Sequence, residues 1–132
     1  MIRVMIVATY NEVREGLSTV LRLAGGFEIA EIASSLRDAV RQASLECPDV
    51  VLVDLEMPGG EGYETIHQLM RLCLQTKVIA LTAHDYPAAR ESAMRAGAGM
   101  VMVKGLGVPE MIAAIQSAVG ADDNQQERNN ES

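Results

Sequence analysis

The chain has 132 residues, 48% of them hydrophobic, and a formal net charge of −7 at pH 7. This length suffices for one domain with a substantial core, and an acidic chain without a Lys/Arg cluster is not expected to bind nucleic acid. Its apolar runs are far shorter than the roughly 20 residues of a membrane span, and its first residues lack the layout of a signal peptide. We therefore expect a cytoplasmic globular domain that does not enter a membrane.

Apolar strand-like runs alternate with amphipathic helical patterns along the whole chain. This alternation predicts an α/β fold, a doubly wound sheet of five parallel strands. Right-handed crossovers leave few strand orders, of which we favour 2-1-3-4-5. The predicted strands are 2–7, 27–32, 50–54, 77–82 and 100–103, and the helices begin at Asn11, Ser35, Gly62, Pro87 and Pro109, the last ending at Gly120. Asn11 and Ser35 are the predicted N-caps of the first two helices.

Polar residues end three of these strands. The run from Val50 to Asp54 has no polar alternation, which is typical of a strand buried on both faces. Thr82 ends the fourth strand and Lys104 follows the fifth, and ligands of such sheets bind at the carboxyl edge. A carboxylate can act as nucleophile, and an ammonium can pair with a phosphoryl oxygen. The three side chains together indicate phosphoryl transfer to Asp54.

Neither the cysteines nor the end of the chain indicates further chemistry. Cys47 and Cys73 are expected to be buried free thiols rather than a disulfide, and no His/Cys cluster has metal-binding spacing. Residues 121–132 are almost entirely polar. We therefore assign 1–120 to the domain and 121–132 to a disordered tail or the start of an interdomain linker.

The chain resembles the receiver domain of bacterial response regulators, most closely the N-terminal receivers of LuxR/NarL-type transcription factors. The resemblance runs from residue 1 to about 120 and implies a CheY-like, flavodoxin-like (βα)5 fold with the same strand order. It also implies a non-enzymatic, two-component signalling role, with a homodimer, a histidine kinase and a C-terminal helix-turn-helix domain as candidate partners. The matching motifs are 2–7, 13–17, 48–59, 78–84, 95–98 and 103–104.

The resemblance assigns roles to individual residues. Asp54 matches the phosphoacceptor, Thr82 the switch hydroxyl and Lys104 the phosphate-binding lysine. Ala83 matches the small residue that leaves room for a phosphoryl group, and Met57 matches the residue whose carbonyl helps to hold Mg²⁺.

The chain departs from the family where two acidic residues normally hold Mg²⁺, since Ala8 and Thr9 occupy those positions. Mg²⁺ prefers carboxylates and water and neutralises charge during phosphoryl transfer. We therefore expect weak Mg²⁺ binding, if any, and little self-phosphorylation. Glu12 or Glu56 could supply a displaced carboxylate, although either could also be an ordinary surface acid.

A second departure lies at Val101, where receivers usually carry a mobile aromatic ring. Without the acidic pair, Asp54 and Lys104 can form a salt bridge that favours both charged forms. We favour an atypical receiver that regulates by protein association. The alternatives are a working phosphoacceptor with displaced ligands, a structural dimerisation module, or a sensor of an unnamed small molecule. A nucleotide is disfavoured because no glycine-rich loop follows the first strand.

Overall fold

A computed structural model describes the backbone of residues 1–105 and 107–131, and the side chains of those up to residue 120. Strands and helices alternate along the chain, with a short 3₁₀ turn, Pro58–Gly60, after the third strand. No helix within the described ranges is both long enough and apolar enough to cross a membrane. The elements are β1 Ile2–Val7, α1 Asn11–Ala24, β2 Phe27–Ala33, α2 Leu36–Leu45, β3 Val50–Asp54, α3 Glu61–Leu72, β4 Lys77–Thr82, α4 Pro87–Ala96, β5 Met100–Val103 and α5 Val108–Glu131.

The five strands form one parallel sheet in the order β2-β1-β3-β4-β5. The predicted fold class and strand order are therefore confirmed. Every residue of β3 is buried, as its unbroken apolar sequence predicted, because β3 is the central strand and helices cover both faces of the sheet.

Two apolar clusters form the core, one on each face of the sheet. On one face, Leu21 of α1 and Ile115 of α5 pack against side chains of β1, β3 and β4. On the other, α2, α3 and α4 contribute Ala39, Leu69 and Ala93. The molecule thus has three layers, with the sheet between two layers of helices.

Most predicted boundaries agree with the structure within two residues, and the differences have local causes. Asn11 was expected to cap α1, but Tyr10 is the N-cap and Asn11 is the first helical residue, where its side chain donates to Glu15. The predicted cap of α2 is present, because the Ser35 hydroxyl accepts a hydrogen bond from the Asp38 backbone N–H.

The last helix is longer than predicted. It continues to Glu131, whereas the sequence predicted an end at Gly120 and a disordered tail beyond it. A glycine inside a helix costs only about 1 kcal/mol, and the Gln, Glu and Arg residues that follow are good helix formers. The domain boundary at residue 120 and the linker role of 121–132 stay predictions.

The prediction of two free thiols was wrong, since Cys47 and Cys73 form a disulfide with their Cα atoms 5.7 Å apart. Cys47 is exposed and Cys73 is buried. The two residues lie in the connections that lead into β3 and β4, and these strands are neighbours in the sheet. This proximity depends on the strand order, which the cysteine spacing does not reveal.

Candidate functional site

Three adjacent strands bring the predicted site residues to one edge of the sheet. Asp54 is paired with Leu81 at the ends of β3 and β4, and Thr82 is paired with Val103 of β5. Beyond the last pair, the Lys104 backbone N–H donates to the Thr82 carbonyl at 2.7 Å. The backbone ladder therefore fixes the starting points of the Asp54, Thr82 and Lys104 side chains beside one another.

Asp54 is fully buried at the centre of this edge. Its Oδ1 lies 2.7 Å from the Lys104 Nζ and accepts a hydrogen bond of 2.9 Å from the Glu56 backbone N–H. The predicted Asp54–Lys104 salt bridge is thus present. Burial raises the pKa of Asp54 despite the hydrogen bond to Lys104. Its Oδ2 is buried and has no hydrogen-bond partner among the described residues.

The backbone around Asp54 depends on a glycine in the first turn of α3. A Cβ on Gly62 would lie 2.6 Å from the Asp54 carbonyl oxygen and 3.1 Å from the Leu55 Cα. Only glycine permits α3 to approach β3 this closely. The sequence predicts Gly62 only as the start of a helix, because its spacing from Asp54 carries no direct sign of contact.

Glu56 is the residue whose place in the site was least expected. Its Oε1 accepts a 2.6 Å hydrogen bond from the Ala83 backbone N–H and lies 3.1 Å from the Thr82 Oγ1. Its Oε2 lies 3.2 Å from the Lys104 Nζ. Burial alone would raise the pKa of Glu56, but the Ala83 amide, with Asp54 and Lys104, lowers it to about 2. Glu56 is therefore an ionised carboxylate that lies beside the Ala83 amide, the Lys104 ammonium and the Thr82 hydroxyl.

The Thr82 hydroxyl has two possible acceptors. Its Oγ1 lies 3.1 Å from the Glu56 Oε1 and 2.8 Å from the His84 carbonyl oxygen. A hydroxyl has a single proton and donates to one acceptor at a time. It also accepts a hydrogen bond from the His84 backbone N–H. Thr82 is thus held at the junction between β4 and the loop that follows it.

Lys104 serves two carboxylates at once. Its side chain is 28% exposed, whereas that of Asp54 is fully buried and that of Glu56 is 37% exposed. Burial alone would lower the pKa of Lys104, but the contacts with Asp54 and Glu56 raise it. At their ordinary ionisation states, two carboxylates and one ammonium carry a formal charge of −1.

The loop after β1 offers a cation little. Ala8 is buried without a side-chain donor, and Thr9 carries only a neutral hydroxyl. The Arg14 guanidinium donates to the carbonyl oxygens of Ala8 and Thr9 at 2.7 and 2.6 Å. A positive charge therefore lies beside the two positions where the family resemblance places metal-binding acids.

The two proposed substitute ligands occupy different surroundings. Glu56 contacts the site residues directly, whereas Glu12 is exposed in the first turn of α1. Among the described residues, no three His, Cys, Asp or Glu side chains form a group that could hold a metal. The Asp54 Oδ2 and the Met57 carbonyl suit Mg²⁺ by type, and Mg²⁺ is usually held by one or two carboxylates together with several waters. Here, however, the Asp54 carboxylate is already paired with Lys104. This donor set is a poor fit to Mg²⁺.

Val101 lies within the sheet rather than at its edge. It pairs with Ala80 of β4 and is 7% exposed as part of the core. A branched aliphatic side chain packed in this way has no buried and exposed positions between which to move. The arrangement therefore contains no aromatic switch at this position.

Together, the fold and the site define a receiver-type signalling domain, with an aspartate, a hydroxyl residue and a lysine at the carboxyl edge of a (βα)5 sheet. The model of the response regulator receiver domain family matches residues 4–116. The chain belongs to this family.

The curated relatives are response regulators. The response regulator GacA of Pseudomonas viridiflava is 35% identical over 116 residues, which cover 88% of this chain and 54% of that protein. The response regulator UvrY of Escherichia coli K12 is 34% identical over 117 residues, which cover 89% of this chain and 54% of UvrY. The chain thus spans about half the length of the curated relatives it matches.

Solved structures agree with this assignment. A LuxR-family two-component response regulator from Aurantimonas matches with a TM-score of 0.85 at 26% identity, over 92% of this chain and 86% of that one. The receiver domain of the response regulator NarL from Mycobacterium tuberculosis matches with a TM-score of 0.83 at 28% identity, over 90% and 96%. The resemblance to LuxR/NarL-type receivers is therefore confirmed.

Proposed function

We propose that this chain is an atypical receiver domain that regulates through protein association, without the standard Mg²⁺-dependent phosphorylation of Asp54. The observation that carries this proposal is the occupation of the site by Glu56, whose carboxylate engages Thr82, Ala83 and Lys104. The donors expected to receive a phosphoryl group already hold a carboxylate.

The charge of the site supports the same conclusion. A phosphoryl donor is an anion and must approach a cluster of two carboxylates and one ammonium. In most receivers Mg²⁺ would offset this repulsion, but here Ala8 and Thr9 supply no carboxylate for it. We therefore expect the attack by Asp54 to be slow and the resulting acyl phosphate to be poorly stabilised.

The output of the domain would then depend on contacts with other proteins. Because a valine, Val101, is packed in the core where other receivers carry a mobile aromatic ring, such a ring cannot transmit the state of the site to the surface of this domain. We propose a homodimer as the associated form, and a C-terminal helix-turn-helix domain in a longer protein as the element it controls. A histidine kinase remains a candidate partner only if Asp54 accepts a phosphoryl group.

The test is incubation with acetyl phosphate, followed by intact mass, with Mg²⁺ and with EDTA. If Asp54 reacts, its carboxylate attacks phosphorus, acetate leaves, and the chain gains the mass of one phosphoryl group. We expect no gain in the wild type over hours. A gain that requires Mg²⁺ and is abolished in Asp54→Asn would overturn the proposal. Sedimentation velocity of the same samples tests the dimer.

One observation favours the alternative of a working phosphoacceptor. Glu56 is ionised, lies beside Asp54 and is 37% exposed, so its side chain could turn towards a cation. In that case Glu56→Gln would lose Mg²⁺-dependent phosphorylation, whereas Glu12→Gln would retain it. If Glu12 were the displaced ligand instead, the two variants would exchange behaviours.

A further inference from the structure

Glu56 makes the pattern of contacts that an oxyanion makes in a protein site. Both of its oxygens are engaged, Oε1 by the Ala83 N–H and beside the Thr82 hydroxyl, and Oε2 beside the Lys104 ammonium. Charge-assisted hydrogen bonds of this type are among the strongest in proteins. A backbone amide, a hydroxyl and an ammonium that converge on one anion constitute an anion-binding site.

The anion-binding site adjoins Asp54, because Asp54 and Glu56 share the Lys104 ammonium. Lys104 contacts both Asp54 and Glu56, at 2.7 and 3.2 Å, so the occupied position is next to the acceptor carboxylate. Asp54 itself uses one oxygen for Lys104 and leaves the other without a partner. The carboxylate of Glu56 and the Asp54 Oδ1 therefore share Lys104, and an anion added beside Asp54 would compete with Glu56 for that ammonium.

We infer that Glu56 is an internal anion that takes the place of a phosphoryl group and holds Thr82, Ala83 and Lys104 in their anion-bound arrangement. This inference rests on the proposed function, and it states how the site is kept in one state without modification. The two are separable, since one concerns a covalent change at Asp54 and the other concerns what the donors bind.

An internal anion has a concentration advantage over a free one. Glu56 lies two residues from Asp54, so its local concentration at the donors is far above that of any solute. The chain thus meets the donors' need for an anion without a covalent modification. A partly exposed side chain can still leave the donors for part of the time, which makes the occupation measurable.

The first measurement follows the Ala83 backbone amide by NMR. A short hydrogen bond to a carboxylate shifts an amide proton strongly downfield, so we expect an upfield shift in Glu56→Ala and a smaller one in Glu56→Gln, which keeps the shape but loses the charge. Glu12→Ala and Glu12→Gln are the matched controls, since they make the same changes at an exposed acid of α1. The control spectra should retain the wild-type Ala83 shift.

The second measurement titrates inorganic phosphate into the same variants without Mg²⁺. If the donors are open for about one tenth of the time, removal of the internal anion should tighten phosphate binding about tenfold. We expect this gain in Glu56→Ala and not in Glu12→Ala. Wild-type far-ultraviolet circular dichroism in both variants establishes that folding is intact.

Two results would overturn the inference: an Ala83 shift that does not respond to either Glu56 substitution, or equal phosphate affinity in Glu56→Ala and Glu12→Ala. Phosphorylation of wild-type Asp54 by acetyl phosphate would contradict the proposed function instead. It would leave the measured Ala83–Glu56 contact of the unmodified chain standing, so the two failures are distinguishable.

Discussion

Replacement of Lys104 by methionine is expected to destabilise the fold by removing the cation beside a buried carboxylate. At 2.7 Å and an effective dielectric constant of about 20, the attraction between Asp54 and Lys104 is about 6 kcal/mol before the cost of desolvation. Breaking a buried ion pair by removing one partner typically costs about 3–5 kcal/mol. Because Lys104 is 28% exposed, we expect urea unfolding to show that Lys104→Met lowers the free energy of unfolding by about 2–3 kcal/mol.

The second variant, Asp54→Asn, should behave differently. Burial raises the pKa of Asp54, which means that the folded protein bears a cost for its charge at neutral pH. Removing the charge also removes that cost, so we expect a change below about 1 kcal/mol. The double variant should resemble Asp54→Asn alone, which gives a coupling energy of about 2 kcal/mol.

A surface pair provides the control for this cycle. Arg95 and Glu91 form an i,i+4 salt bridge of 2.5 Å, but their side chains are 74% and 70% exposed. Coupling in such pairs is about 0.3–0.5 kcal/mol. If the coupling energy of Asp54 and Lys104 is no larger than that of Arg95 and Glu91, burial does not strengthen the Asp54–Lys104 pair.

Three further outcomes are expected. Gly62→Ala should destabilise the fold by about 1–3 kcal/mol, because the added Cβ meets the β3 backbone. Gly16→Ala, whose added Cβ has nothing within 4 Å, should stabilise it by about 0.5–1 kcal/mol. Equal effects of the two variants in chemical unfolding would contradict the close approach of Gly62 to β3. Under oxidising conditions Cys47→Ser should lower the free energy of unfolding by about 3.5 kcal/mol, because it removes a disulfide whose cysteines are 26 residues apart, whereas in reductant it should have no effect. If the wild type had the same urea midpoint with and without reductant, the bond would be refuted. The pKa of Glu56 is lowered from 4.5 to about 2, so its charge contributes stability above pH 4.5 that is lost as the pH falls towards 2. Glu56→Gln should therefore lower the free energy of unfolding by about 1 kcal/mol at neutral pH, after solvent screening, and by nothing in acid. A loss that stays constant with pH would exclude a charge effect.

The edge that carries the site was predictable because parallel strands impose it. Once β3, β4 and β5 are adjacent, their last residues must meet, and so Asp54, Thr82 and Lys104 could be brought together from the sequence. The missing acids at Ala8 and Thr9 were equally visible, because they follow β1 directly.

Loop geometry was not predictable in the same way. Glu56 was considered as a metal ligand or a surface acid, because nothing in its spacing states that the chain after β3 turns its side chain towards Ala83. The disulfide between Cys47 and Cys73 was missed for a related reason, since two loops meet only once the strand order is fixed. In both cases the contact depends on the path of a loop, and the hydrophobic periodicity of the sequence does not predict loop paths.

The Cys47–Cys73 bond also divides the site topologically. It closes residues 47–73 into a covalent ring that contains both carboxylates, Asp54 and Glu56, while Thr82 and Lys104 lie outside it. The seam between the two halves is the β3–β4 ladder. A processive unfoldase that pulls the chain from its C-terminus would extract the hydroxyl and the ammonium first. It would then have to thread a double strand through its pore, which is an obstacle directly in front of the phosphoacceptor segment.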